Sequence, residues 1–190
     1  MRYNPDIHHR RSIRLKGYDY TKEGSYFITI CTLNRENIFG KIVNEGMILN
    51  ENGIIVEKTW FDLPNHNSNI VLDAFIIMPN HVHTIVFVGA GSKPALDLGT
   101  QPAQKCGTET DWAGLEPAPT RATPLSEIVR QLKTFSSKKI NIQRNTEGLP
   151  VWQRNYFEHI ICNEDELNRI RKYIKSNPAN WHADENFVPG

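Results

Sequence analysis

The chain has 190 residues, 39% of them hydrophobic, with 22 Lys and Arg against 21 Asp and Glu and a formal net charge of +1. That is enough apolar material for one core, in line with roughly one domain per 100 to 200 residues, and a charge so near zero does not by itself advertise a polyanion partner. No apolar run approaches the roughly 20 residues that span a bilayer, and the opening Met1-Arg2-Tyr3-Asn4-Pro5 lacks the apolar stretch of a secretory signal, so a cytoplasmic protein is expected. Cys31, Cys106 and Cys162 form an odd, scattered set without C-x-x-C spacing, which argues against a disulfide framework and against a cysteine zinc site.

In chain order, a basic opening comes first, with His8, His9, Arg10, Arg11, Arg14 and Lys16. Tyr26 to Leu33, rich in β-branched and aromatic residues, predicts a strand, and Gly40 to Leu49 a small hairpin. Ile54 to Leu63 predicts a helix entered through Asn50-Glu51-Asn52-Gly53. Ile70 to Met78 and Val82 to Val88 predict two antiparallel strands joined at Pro79-Asn80, residues that favour a tight turn. Residues 89 to 124 hold five Gly and five Pro and show no apolar period; that composition is expected of a disordered insert extruded between two core elements. After it, Leu125, Ile128, Val129, Leu132 and Phe135 fall on one face of a predicted helix that also carries Arg130, Lys133, Lys138 and Lys139. Val151 to Ile161 predicts a further strand. Asn163 is a favoured N-cap with Glu166 three residues on, as in a capping box, and it opens a last helix striped by Leu167, Ile170 and Ile174 and stopped by Pro178. The order strand, helix, strand, strand, helix, strand, helix predicts an α+β fold in a single domain over 1–190. Its form is a ferredoxin-like (RRM-like) antiparallel sheet with helices packed on it plus a C-terminal helix.

The chemistry concentrates in His81-Val82-His83. On a strand, residues two apart point to the same face, so the two imidazoles project together and can share a cation. Such pairs also serve barrel amidohydrolases and two-histidine phosphodiesterases. The former need about 250 residues and more ligands, and the latter a second His-x-Thr or His-x-Ser motif, which does not follow. A purely structural pair is the competing reading. On the last helix, steps of 100° from Leu167 put Tyr173 at about 240° and Asn177 at about 280°, one turn apart and flanking the apolar stripe. If that stripe packs on the face carrying the histidines, a phenol and a carboxamide oxygen are aimed at the same cation. A boundary aromatic and helix-end punctuation are the plain alternatives.

Together these residues resemble the REP-associated tyrosine transposases, a branch of the single-tyrosine HUH transposases. The likeness covers nearly the whole chain outside the insert, in five phrases in the family's order: HHRRSIRLKGYDY (8–20), YFITICT (26–32), MPNHVH (78–83), VWQRNYFEHII (151–161) and YIKSNP (173–178). It implies that His81 and His83 are the HUH pair, with Val82 the bulky apolar residue between them, that Tyr173 is the nucleophile, and that Asn177 completes the metal site. It implies Mg²⁺ or Mn²⁺, of which two imidazoles favour Mn²⁺ on ligand softness. The implied partner is single-stranded DNA in hairpin-forming palindromic repeats, cut and rejoined through a 5′-phosphotyrosine link. Cys162 departs from the pattern, since the family often carries a basic residue there.

Arg10, Arg11, Arg14 and Lys16, with Arg130 and Lys133, are the expected phosphate contacts, and Trp152 and Tyr156 are candidates for base stacking. Only Cys162 separates the last strand from the last helix, with no glycine hinge to allow a swap, so a monomer with its active site in cis is expected. Two rivals stand beside this reading. One is a non-catalytic single-stranded nucleic-acid-binding module of RRM-like fold, which lacks the RNP aromatic signature. The other is a self-mobilising insertion-sequence transposase, which terminal hairpins in the flanking DNA would reveal.

Overall fold

A computed structural model describes residues 24–89 and 123–189, so the basic opening with Arg10, Arg11, Arg14 and Lys16, and nearly all of the predicted insert, lie outside the described residues. The elements are β1 (Gly24–Cys31), β2 (Gly40–Val43), β3 (Gly46–Leu49), α1 (Glu51–His66), β4 (Ile70–Ile77), β5 (His81–Val88), α2 (Leu125–Arg144), β6 (Phe157–Ile161) and α3 (Glu164–Ser176), followed by a 3-10 turn (Pro178–Ala183). The four long-range strands form one antiparallel sheet in the order β4-β5-β1-β6, and β2 and β3 make a separate hairpin. This is the expected ferredoxin-like α+β arrangement, with the hairpin set between the first strand and the first helix and α3 added at the end.

The alternation of strand side chains gives the sheet two working faces. Tyr26, Ile28 and Ile30 of β1, with Val82 and Val86 of β5, enter the main core with Val56, Trp60 and Leu63 of α1 and Ile128 and Leu132 of α2. The opposite face is covered by α3, whose Leu167 and Ile174 close on Ile85 and Ile161. One extra residue in β4 between Leu72 and Phe75 breaks its register with β5. At that bulge Asp73 accepts a hydrogen bond from Arg171 Nε of α3 at 3.0 Å, a tether that fixes the helix over the sheet.

Local chemistry explains where the elements begin. Asn50 Oδ1 accepts from the Gly53 N–H at 3.1 Å, so α1 starts at Glu51, ahead of its first apolar residue. Gly53 itself is required by close approach: a Cβ there would lie 2.4 Å from the Phe39 carbonyl oxygen. Asn163 caps α3 as expected, accepting from the Glu166 N–H at 2.8 Å, while Glu166 reaches back to the Cys162 N–H at 2.9 Å.

Two details differ from expectation. The strand predicted over Val151–Ile161 is confined to β6, because Trp152 turns inward, donates from Nε1 to Ser136 Oγ at 2.9 Å and packs on Phe39. Phe135 does not join the buried face of α2; it is 41% exposed, and Ser136 and Ile140 are buried instead. Among the described residues no helix is long and apolar enough to cross a membrane.

Candidate active site

The turn at Pro79-Asn80 delivers the two histidines. The Met78 N–H donates to the His81 carbonyl at 2.8 Å, and β5 then sends His81 and His83 to the face beneath α3, where both are buried. Their Nε2 atoms lie 2.9 Å apart. The tautomer of His81 follows from its neighbour. Asn80 Nδ2 donates to the backbone carbonyls of Arg35 and Asn186 at 3.1 and 2.8 Å, so the amide atom facing His81 Nδ1 at 2.8 Å is the oxygen. His81 Nδ1 must therefore carry the proton. Burial, with a smaller contribution from His83, lowers the His81 pKa to about 3, so the ring is neutral and its Nε2 presents a lone pair. Thr29 Oγ1, 2.8 Å from His83 Nδ1, can accept an N–H in the same way and turn the second Nε2 into a lone pair too.

Helix α3 and the turn after it bring the remaining groups. The Tyr173 hydroxyl is 3.2 Å from His83 Nε2 and 3.3 Å from Asp184 Oδ2. Asn177, buried at the end of α3, donates from Nδ2 to Asp184 Oδ2 at 2.9 Å, and Asp184 Oδ1 accepts from the Asn186 N–H at 2.7 Å. Burial pushes the Asp184 carboxyl up, but His83, the Asn177 amide and the Asn186 N–H together hold it well below the usual carboxylate range, so it is charged. A charged carboxylate can only accept, which fixes the Asn177 amide with its nitrogen toward Asp184. Its Oδ1 is buried and has no hydrogen-bond partner among the described residues. Burial first, and the Asp184 charge second, raise the Tyr173 pKa to about 12. Phe27 stacks on the His83 ring at 5.4 Å and meets Tyr173 edge-on at 6.1 Å, while Trp181 stands 5.9 Å from His81.

This donor set fits a divalent cation. His81, His83 and Asp184 offer three ligand atoms within 4.8 Å of one another, and two lone pairs 2.9 Å apart repel unless a proton or cation stands between them. Adjacent ligand atoms on one octahedral ion, each at about 2.1 Å, are separated by about 3 Å, close to the spacing of the two Nε2 atoms. The orphaned Asn177 oxygen is a further hard donor held at the cluster through Asp184.

The other predicted contacts are placed apart from this centre. Arg130 pairs with Glu127 on the surface, its Nε at 2.6 Å. Lys133 Nζ donates to the backbone carbonyls of Gln153 and Asn155 at 2.8 and 2.9 Å, clamping the loop before β6. Trp152 is only 5% exposed, and Tyr156 packs under Lys133.

No known family model matches the chain. An uncharacterized protein of Haemophilus influenzae is 40% identical over 187 residues, covering 98% of each chain. The two proteins belong to one family. Among solved structures, the REP-associated tyrosine transposase bound to a REP hairpin superposes with a TM-score of 0.56, over 94% of this chain and 89% of that one, at 16% identity. The chain has the fold of a REP-associated tyrosine transposase. A putative transposase of Deinococcus radiodurans is also similar, with a TM-score of 0.44 and 15% identity over 86% of this chain and 96% of that one. On this transposase fold, the residue that sequence reasoning missed is Asp184. It lies in an aperiodic stretch beyond Pro178, where only the turn anchored by buried Trp181 returns the chain to the histidines.

Proposed function

We propose that the protein is a metal-dependent tyrosine nuclease and strand transferase that acts on single-stranded DNA at hairpin-forming repeats. The observation that carries this reading is the Tyr173 hydroxyl, 3.2 Å from His83 in the buried cluster of His81, His83 and Asp184. The same reading takes its substrate class from the hairpin-bound transposase that shares the fold.

His81, His83, Asp184 and Asn177 would hold the divalent ion. When bound, the ion polarises a non-bridging oxygen of the scissile phosphate and stabilises the charge that builds there. Tyr173, with its pKa near 12, is firmly protonated and needs a proton acceptor before it can attack. Asp184 Oδ2, within 3.3 Å and ionised, accepts that hydroxyl's hydrogen bond and aims its oxygen, while the proton passes on to water at the half-exposed ring as the phosphorus bond forms. Bond formation from Tyr173 Oη to phosphorus releases the 3′-oxygen, which leaves as a hydroxyl once protonated, and the 5′-phosphotyrosine link keeps the bond energy for rejoining. Phe27 and Trp181 pack on the two histidine rings and wall the cluster beneath Tyr173.

Labelled single-stranded oligonucleotides from the gene's own surroundings, incubated with and without Mn²⁺, test the reading. The parent should form a covalent adduct that maps to Tyr173, and duplex DNA should not react. Tyr173→Phe should fold, melt within a few degrees of the parent and form none. An adduct that persists in Tyr173→Phe refutes the assignment.

A further inference from the structure

The face that carries the histidines continues past them to an open edge. In register across β5, β1 and β6, His83, Thr29 and Phe157 form one row, and Ile85, Phe27 and His159 the next. Directly paired residues share a face, and neighbouring strands are about 4.8 Å apart, so Phe157 stands roughly 10 Å across the sheet from His83. Helix α3 packs mainly against β4 and β5 and meets β6 only near its own start, where Leu167 closes on Ile161 and Glu166 bonds His159, so the opposite end of β6, at Phe157, stays open. Phe157 is 50% exposed there. Its ring meets Phe27 edge-on at 6.3 Å, and Phe27 touches both His83 and Tyr173. A continuous run of aromatic rings thus leads from the open edge of the sheet to the Tyr173 phenol.

The rim of this run carries two arginines and one carboxylate. Arg154 is exposed, and the Arg169 side chain is 76% exposed although one of its nitrogens lies 3.4 Å from Glu166, the carboxylate that also bonds His159 on the row beside Phe157. A flat apolar surface one ring wide is far below the roughly 800 Å² per partner of a stable protein interface. It matches one nucleobase, whose phosphates the rim complements. We propose that Phe157, backed by Phe27, is a stacking subsite for one unpaired base of the strand whose phosphate is held at Tyr173. The inference rests on the functional reading above and adds to it the place where the strand next to the scissile phosphate is gripped. It also moves base stacking away from Trp152 and Tyr156, whose rings are turned into packing and under Lys133.

Binding of fluorescein-labelled decathymidylate, followed by anisotropy, tests it. Phe157→Ala should weaken binding by ~5- to ~150-fold, the span that loss of one aromatic–base stack produces, and Phe157→Tyr should stay within about twofold. Phe157→Leu keeps apolar bulk without a ring and should behave like Phe157→Ala. Thermal melts of all three should stay within a few degrees of the parent. Decathymidylate carrying 5-iododeoxyuridine, irradiated with the unaltered protein, should crosslink to Phe157 by peptide mapping, which decides the matter even if a variant fails to fold. Unchanged affinity of a folded Phe157→Ala, or crosslinks mapped only to other residues, overturns the subsite while the Tyr173 adduct still stands. A parent that binds no single strand overturns the functional reading and this inference together.

Discussion

Replacing Asp184 with asparagine removes a negative charge at the centre of the cluster while keeping the side chain's size. Its Oδ2 lies 3.8 Å from His83 Nε2 and 4.0 Å from His81 Nε2, and the side chain is only 1% exposed. Two unit charges about 4 Å apart attract by about 1 kcal/mol in bulk water and about 4 kcal/mol at an effective dielectric of about 20. A divalent ion doubles either figure. The water limit, about 2 kcal/mol, is therefore a floor for so buried a group, and it corresponds to at least ~30-fold in affinity. Calorimetric titration with Mn²⁺ should show that loss in Asp184→Asn, with a melting temperature close to the parent's in metal-free buffer. Cleavage should recover in part at high Mn²⁺. If affinity is unchanged, Asp184 merely straps the turn after α3 in place, and the ion must rest on His81, His83 and Asn177 alone.

Asn80 acts through His81 by holding Nδ1–H, so Asn80→Leu should weaken Mn²⁺ binding ~10- to ~100-fold while the histidines remain in place, measured by the same titration. The site is drawn from β5, α3 and the following turn of a single chain, so mixing inactive His81→Ala with inactive Tyr173→Phe should not restore cleavage; recovery of adduct formation would reveal a shared site. Both ends of the predicted insert are tied to Asn69, through the Gly89 N–H at 2.9 Å and the Thr123 N–H at 3.2 Å. Deleting residues 92–120 across a short linker should therefore preserve cleavage and change stability little, since each halving of loop length is worth only about 0.6 kcal/mol; a folded but inactive deletion variant would make the insert part of the DNA grip.

What was legible in the sequence is what short-range periodicity encodes. The alternation in β1 and β5 and the stripe of α3 predict the sheet, the shared face of His81 and His83, and the approach of Tyr173, because each depends on residues a turn or a pleat apart. Asn163 and Glu166 mark the start of α3 through a local capping exchange. Asp184 was illegible because its position depends on a turn with no period and on long-range contacts: Trp181 packing beside His81, and the hydrogen bond from Asn177.

The stretch before α3 shows a second limit, one of phase. In VWQRNYFEHII the apolar residues do not alternate cleanly, so the segment can be read as one long strand with either Tyr156 or Phe157 directed to the histidine face. Two distant contacts decide it. Lys133 clamps the carbonyls of Gln153 and Asn155 and holds the segment out of the sheet there, and pairing resumes with Phe157 opposite Thr29. That register sends Phe157 and His159 toward the site and buries Glu158 and Ile160 on the other side. A shift of one residue would exchange the two sets, because side-chain direction has a period of two. The identity of the ring that reaches the histidine face is thus set by a lysine on α2, twenty-four residues earlier in the chain.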